Sequence, residues 1–174
     1  MMRVHQDYTI LLNTLTMNNF DLLRQPIQPN EIEWRVQSAK NGKTTIVPYI
    51  TSRAVMNRFD AAFGPENWKD SYTVWKAKGV LCTLYVKCGD TWVSKEDGAD
   101  DTAIEATKGG ISDALKRCAV KWGCARDLYE YPLVQIEGEM RFVPGEIRGR
   151  LDQMTTMINA GEFTKKYVLI NKTK

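Results

Sequence analysis

The chain has 174 residues, of which 43% are hydrophobic and 26% are charged, a composition that suits one globular domain with its own core. Its net charge of +3 is too mild to indicate a nucleic-acid partner, so any such role depends on where the basic side chains lie. No run approaches the roughly 18 apolar residues of a membrane helix, and Asp7 precedes the short apolar run near the N-terminus. We therefore expect neither a membrane span nor a signal peptide, and a location inside the cell.

The first part of the chain predicts a helix followed by a hairpin. Residues 8–25 fit a helix that ends before a proline. Alternating apolar and polar residues predict a strand over 31–38, Asn41-Gly42 is a strong hairpin-turn signal, and residues 44–50 fit the returning strand. Because Pro48 cannot donate a ladder hydrogen bond, we expect this second strand to lie at an edge or to be bulged.

A second helix and a run of strands follow. Residues 53–63 fit a helix with apolar residues on one side and a glycine at its end. Three segments separated by short turns, residues 71–77, 80–88 and 91–95, predict an antiparallel meander. The acidic residues 96–101 do not fit a calcium loop, and we expect a solvated loop that leads into the next helix.

A long helix is predicted over about 101–122, and its internal Gly109-Gly110 pair indicates a kink or the close approach of a backbone or a phosphate. Residues 146–161 fit a last helix. We expect the tail, residues 164–174, to be mobile or a contact arm. The order of elements predicts an α+β domain in which an antiparallel hairpin and a three-strand meander pack with helices.

The search for catalytic chemistry finds little. His5 is the single histidine and lies near a terminus, and the sequence has neither a P-loop nor a GxGxxG motif. The four cysteines, at positions 82, 88, 118 and 124, lack zinc-site spacing and are better explained as small buried thiols in a reducing compartment. We therefore expect no cofactor, no metal and no enzyme, with a metal-dependent nuclease as a remote alternative.

Basic and aromatic residues are the stronger functional signal. Lysine and arginine neutralise phosphates, and aromatic rings stack on unpaired bases. On the long helix the basic side chains occupy a polar arc of roughly 140°, although a merely solvated helix face would look the same. The candidates are Lys116, Arg117 and Lys121 on that helix, Arg126 just past its end, Arg35 on the first strand and Tyr49 on its hairpin partner.

Residues 106–129 resemble the helix motif of the Rad52-type single-strand annealing family, which includes the eukaryotic recombination protein and its phage-borne relatives. The matching parts are Ser112-Asp113-Ala114-Leu115-Lys116-Arg117, then Trp122-Gly123, then Leu128-Tyr129. Upstream, residues 23–36, residues 49–64 and Asn67-Trp68 look like the family's leading strand, first helix and Gly-x-x-x-Trp turn. The resemblance covers about residues 20–131.

The resemblance implies a β-β-β-α core, a ring or arc of subunits and a basic groove for single-stranded DNA. By position, Lys116 and Arg117 match the basic pair on the groove-lining helix, Arg35 and Tyr49 match residues of the first two strands, and Lys108 matches a lysine one segment earlier. Residues 1–131 would then be the annealing domain, and residues 132–174 a C-terminal helix and tail of open role.

The hairpin leaves one conflict. A two-residue Asn41-Gly42 loop pairs Trp34 with Tyr49 and so puts Arg35 and Tyr49 on opposite faces. Either the loop is larger, a bulge resets the register, or one of the two residues does not touch DNA.

The function implied is ATP-independent binding and annealing of complementary single strands in recombination or double-strand break repair, of the phage type. Expected partners are single-stranded DNA, further copies of the chain, and a host or phage single-strand-binding protein or recombinase. The expected location is the cytoplasm or nucleoid, or the host cytoplasm for a phage-encoded protein. Passive protection of strands or ends, and a structural or protein-interaction oligomer, are the alternatives.

Overall fold

The computed structural model describes residues 18–75, 79–100 and 106–171, with side chains in the last range from residue 109 onward. Its elements, in chain order, are α1 Asn19–Leu23, a 3-10 turn Pro29–Glu31, β1 Ile32–Lys40, β2 Lys43–Ile50, α2 Ser52–Phe63, β3 Trp68–Trp75, β4 Gly79–Cys88, β5 Thr91–Asp100, α3 Ala106–Trp122, a 3-10 turn Arg126–Glu130, β6 Leu133–Glu137, α4 Gly145–Asn159 and β7 Tyr167–Ile170. The α+β prediction is confirmed.

The strands form two sheets. Sheet A has the order β1-β2-β6-β7, and sheet B has the order β3-β4-β5. Sheet B is the predicted meander, which the structure describes except at residues 76–78. The predicted helix over 8–25 is described only in its last part, α1, and the remainder lies outside the described residues.

Sheet B and three helices share one core. Alternate residues of β4, including Cys82 and Leu84, are fully buried against α2 and α3. From α3 the buried side chains of Leu115, Cys118 and Trp122 enter the same core. One face of β4 is therefore buried, and α3 is fixed firmly across sheet B.

Sheet A is covered on one face by α4. Buried residues of its strands, such as Trp34 and Ile46, pack against Ile147, Leu151 and Met154 of the helix. The predicted last helix is thus confirmed. The opposite face of sheet A carries the outward residues of β1 and β2 and turns toward α3, which creates the cleft described below.

A bulge in β1 resolves the conflict over the hairpin. The turn is Asn41-Gly42 with positive φ at both residues, 55° and 70°, as a type I′ turn requires. The pairing then slips at Gln37, so that Tyr49 lies opposite Glu33 and Arg35 lies opposite Val47. Because residues two apart on a strand share a face, Arg35 and Tyr49 lie on the same side of the sheet.

Two predictions in this part of the chain need correction. Residues 96–100 are not a loop but the second half of β5, paired with β4, because Asp97 faces the cations of α3 and Ala99 lies against the core. Residue 101 and the predicted start of the long helix lie outside the described residues. β2 is not an edge strand over residues 43–46, where it pairs with both β1 and β6, but Pro48 lies beyond that range and pairs with β1 alone.

The C-terminal tail differs most from expectation. Residues 167–170 form β7, which runs parallel to β6, a strand that the sequence did not predict. Residues 172–174 lie outside the described residues. Hydrogen bonding to β6 and the burial of Ile170 account for the ordered strand.

Within the described ranges, no helix is long and apolar enough to cross a membrane, and no three His, Cys, Asp or Glu side chains are grouped to hold a metal ion. All four cysteines are free thiols, and three of them, Cys82, Cys118 and Cys124, are buried. Burial raises the pKa of Cys124 to about 12, which keeps this thiol neutral.

Candidate nucleic-acid interface

A cleft of about 1060 Å³ opens between the outward face of β2 and the polar side of α3. The floor is provided by Val47, Pro48 and Tyr49, and one wall by the helix over 113–120. Gln37 of β1, the adjoining ends of β3, β4 and β5, and the connection that leads into β6 also line the cleft. Two predicted basic residues, Lys116 and Arg117, lie on the helical wall.

Tyr49 is where three elements converge. The guanidinium carbon of Arg35 lies 5.1 Å from the centre of the Tyr49 ring, and Nζ of Lys116 lies 5.4 Å from it. Cations at such distances are attracted to the electron-rich face of an aromatic ring. Tyr49 remains 39% exposed and lines the cleft. β1 and α3 therefore place two of the predicted cations, Arg35 and Lys116, against the ring of a third predicted residue on β2.

Each of these cations is matched by a carboxylate. Arg35 pairs with Glu33 at 3.0 Å, and Nζ of Lys116 lies 2.6 Å from Oδ1 of Asp113, one helical turn before it. The side chain of Lys116 is only 12% exposed, whereas that of Arg35 is 55% exposed. Lys116 is thus held in place between a carboxylate and a ring, and its charge is partly compensated.

Arg117 and Lys121 share Asp97 of β5. The Nε of Arg117 lies 3.4 Å from one oxygen of this carboxylate, and Nζ of Lys121 lies 3.7 Å from the other. Lys121 also donates to the backbone carbonyl of Glu96. Arg117 faces the cleft and is 55% exposed, but Lys121 is tied to β5 and is absent from the lining.

The other two predicted residues are placed differently. Arg126 donates to the carbonyl oxygens of Val120 and Lys121 at 2.8–3.1 Å, which closes the C-terminus of α3. It does not line the cleft. The side chain of Lys108 lies outside the described residues.

The sequence did not reveal several parts of the cleft. The sequence did not predict the three carboxylates that pair with the cations. Asp97 lies in a segment that the sequence assigns to a loop, and its pairing with Arg117 depends on the tertiary fold. Asp113 stands three residues before Lys116 and Glu33 two residues before Arg35, so these two spacings were available in the sequence. Tyr129, which is 71% exposed and lines the cleft, belongs to the quoted motif but was not singled out. An aromatic residue at the end of the motif was the sequence feature that could have identified Tyr129 as a candidate.

Comparison with known proteins adds to this geometry. The chain is 30% identical over 114 residues to a protein named single-stranded DNA-binding protein DdrA from Deinococcus radiodurans, an alignment that covers 63% of this chain and 54% of that protein. It is 32% identical over 115 residues to the protein of the same name from Deinococcus deserti, covering 63% and 56%. The chain thus spans little more than half the length of these relatives.

A family model matches a larger part of the chain. It is described as the Rad52/22 family double-strand break repair protein, and it matches residues 18–146. The matched range includes β1, β2 and α3, which build the cleft. The chain belongs to the Rad52/22 family of double-strand break repair proteins.

Proposed function

We propose that this chain binds single-stranded DNA in the cleft between β2 and α3 and anneals complementary strands without ATP during recombination or break repair. The observation that carries the proposal is the convergence of Arg35 and Lys116 on Tyr49, beside the exposed Arg117. A ring for stacking and cations for phosphates, side by side in one cleft, are the two parts that sequence-independent strand binding requires.

The chemistry of annealing is physical rather than covalent. Arg117 and Arg35 hold phosphates, and Tyr49 stacks on a base. Phosphate contacts position a strand without reading its sequence, so base edges remain open to a second strand. Neutralised phosphates also repel that second strand less. Base pairing then supplies the free energy, which is why no nucleotide hydrolysis is needed.

Assembly would compensate for weak binding by each copy. Three carboxylates offset the cations around this cleft, so one protomer holds few nucleotides weakly. In a ring or arc the same cleft recurs along the strand, and avidity multiplies the affinity. The proposal includes such a homo-oligomer of the phage type, an intracellular location, and a single-strand-binding protein or recombinase as a further partner.

The test is duplex formation from two complementary strands, without ATP or metal. We expect the protein to accelerate annealing, and the Lys116→Ala/Arg117→Ala variant to lose this activity while it still assembles. A matched control is Arg141→Ala/Arg148→Ala, which removes the same charge from exposed residues outside the cleft lining. Equal losses in both variants would contradict the proposed site.

Other results of the same assay would support the alternative functions. Tight strand binding without acceleration would mean that the protein protects strands or ends. No binding at all would indicate a structural or protein-interaction oligomer that keeps the family fold. Shortening of the strands on addition of magnesium would indicate a nuclease.

A further inference from the structure

The sheet face that floors the cleft continues beyond it. Leu133 of β6 lines the cleft and pairs in register with Tyr167 of β7. Gln135 joins the strands on this face: its amide donates to Oγ1 of Thr45 at 3.1 Å, and its carbonyl oxygen accepts the Tyr167 hydroxyl at 3.2 Å. Thr45 alternates with Tyr49 along β2, so Tyr49 and Tyr167 lie on the same face of sheet A.

This extension is apolar, aromatic and open. Leu133, Tyr167 and Leu169 are 50%, 44% and 40% exposed. The hydroxyl of Tyr167 is held by Gln135, which limits the freedom of the ring. Lys165 and Lys166, directly before β7, are exposed. A restrained aromatic ring next to paired lysines repeats the combination found in the cleft itself.

We propose that the face formed by Leu133, Tyr167 and Leu169, with Lys165 and Lys166, is a second contact zone for the same DNA strand as it leaves the cleft. The inference rests on the proposed function. Tyr167 stacks on a base, and the two lysines hold phosphates. Apart from Leu133, the residues of this zone lie after residue 146, so they are an addition to the segment that the family model matches.

Geometry fits one continuous strand. Tyr49 and Tyr167 are separated by two interstrand spacings, from β2 to β6 and from β6 to β7, and by an offset of two residues along the strand direction. Together these give a Cα–Cα distance of roughly 12 Å. Stacked nucleotides rise about 3.4 Å each, so the two rings are about three or four nucleotides apart. Continuity with the cleft, and a positive charge beside the ring, favour a nucleic-acid strand over a second copy of the chain as the occupant of this face.

The direct test is photocrosslinking of oligothymidine that carries 5-iodouracil, followed by mapping of the modified residues. We expect crosslinks at Tyr167 as well as in the cleft. In titrations we expect Tyr167→Ala to lower affinity by about tenfold and to reduce the nucleotides bound per protomer by three or four. Tyr167→Phe keeps the ring and should stay within about twofold of the parent. Phe142→Ala, which removes another exposed aromatic residue outside the cleft lining, is the matched control.

A second variant leaves the residues of β7 unchanged. Lys165→Ala/Lys166→Ala should flatten the slope of log affinity against log salt by about 1.4, since each phosphate contact on single strands contributes about 0.7. Crosslinks confined to the cleft, with an unchanged site size in Tyr167→Ala, would overturn the inference. A changed subunit number with an unchanged site size would instead assign this face to contacts between copies. If the parent protein binds no strand, the proposed function itself fails.

Discussion

Asp97 of β5 and Arg117 of α3 face each other at the edge of the cleft, with a carboxylate oxygen 3.4 Å from Nε of the arginine. The same carboxylate lies 3.7 Å from Nζ of Lys121. A phosphate that binds Arg117 must therefore compete with a carboxylate already in place. The carboxylate orients the guanidinium and at the same time limits how strongly it can hold DNA.

We predict that Asp97→Asn raises the affinity for single-stranded DNA by roughly two- to fivefold, the range that exposed ion pairs contribute. The salt dependence should also steepen, because a freed cation takes up a phosphate. Fluorescence anisotropy at several salt concentrations measures both effects. Glu96→Gln is the matched control, since it removes a neighbouring charge that lies on the other face of β5 and bonds Thr83. Equal gains in both variants would mean that net charge, not the pairing, is responsible.

Tyr49 gives the second prediction. Tyr49→Ala removes the ring on which Arg35 and Lys116 converge, and it should weaken strand binding by about tenfold, as expected for one lost stacking contact. Tyr49→Phe retains the ring and should bind as the parent does. Titration of both variants with oligothymidine checks this. A loss in Tyr49→Phe equal to that in Tyr49→Ala would show that the hydroxyl, not the ring, makes the contact.

The hairpin shows what local sequence can predict. Asn41-Gly42 indicated the turn because few other residues accept positive φ at both positions. The bulge at Gln37 was only one of three possibilities, since no residue in β1 alone dictates it. The acidic stretch ending at Asp100 was misassigned because its strand depends on cations that α3 brings from elsewhere in the chain.

The site, too, has residues that the sequence predicts and residues that only the tertiary fold explains. Lys116 and Arg117 could be selected from the helix pattern and the family resemblance, and both line the cleft. Arg126 was a candidate only from its place just past the helix end, and its hydrogen bonds to helix carbonyls could not be predicted from spacing. β7 escaped prediction because its short segment becomes a strand only beside β6.

The third prediction concerns stability. Arg58 of α2 makes a two-pronged ion pair with Glu31, at 2.6 and 2.7 Å, and donates to the carbonyl oxygens of Gln25 and Pro26. Its side chain is only 12% exposed. Arg58→Ala removes these hydrogen bonds and the cation that neutralises the partly buried Glu31 carboxylate, and it should lower the free energy of unfolding by about 3 kcal/mol. Urea denaturation measures the loss, and Arg148→Ala, on an exposed face of α4, should change stability by less than about 0.5 kcal/mol.

The same pair predicts a dependence of stability on pH. Partial burial acts to raise the pKa of Glu31, but the hydrogen bond from Arg58, the backbone N–H of Gln28 and the charge of Arg58 outweigh it and leave the pKa below its ordinary 4.5. A carboxyl whose pKa is lower in the folded state stabilises the fold above about pH 4.5, and this contribution is lost as the pH falls through the folded-state pKa. Urea denaturation between pH 7 and pH 3 should show the Glu31→Gln variant converging on the parent at low pH. A constant difference would contradict the pairing.

Gly123 gives the last prediction, which concerns why a glycine follows the tryptophan of the family motif. Gly123 directly follows the last residue of α3 and has a φ of +101°. A Cβ at this position would lie 2.6 Å from Cγ of Arg24. Gly123→Ala therefore combines a strained backbone with a steric clash, and it should lower the free energy of unfolding by about 2 kcal/mol. Gly149→Ala in α4, where a Cβ meets nothing within 4 Å, should instead be neutral or stabilising. Urea denaturation of both variants checks the contrast. The Gly123→Ala substitution can also be made in the Arg24→Ala variant. If it then no longer lowers the free energy of unfolding, the clash causes the loss. If the loss is undiminished, the backbone conformation causes it.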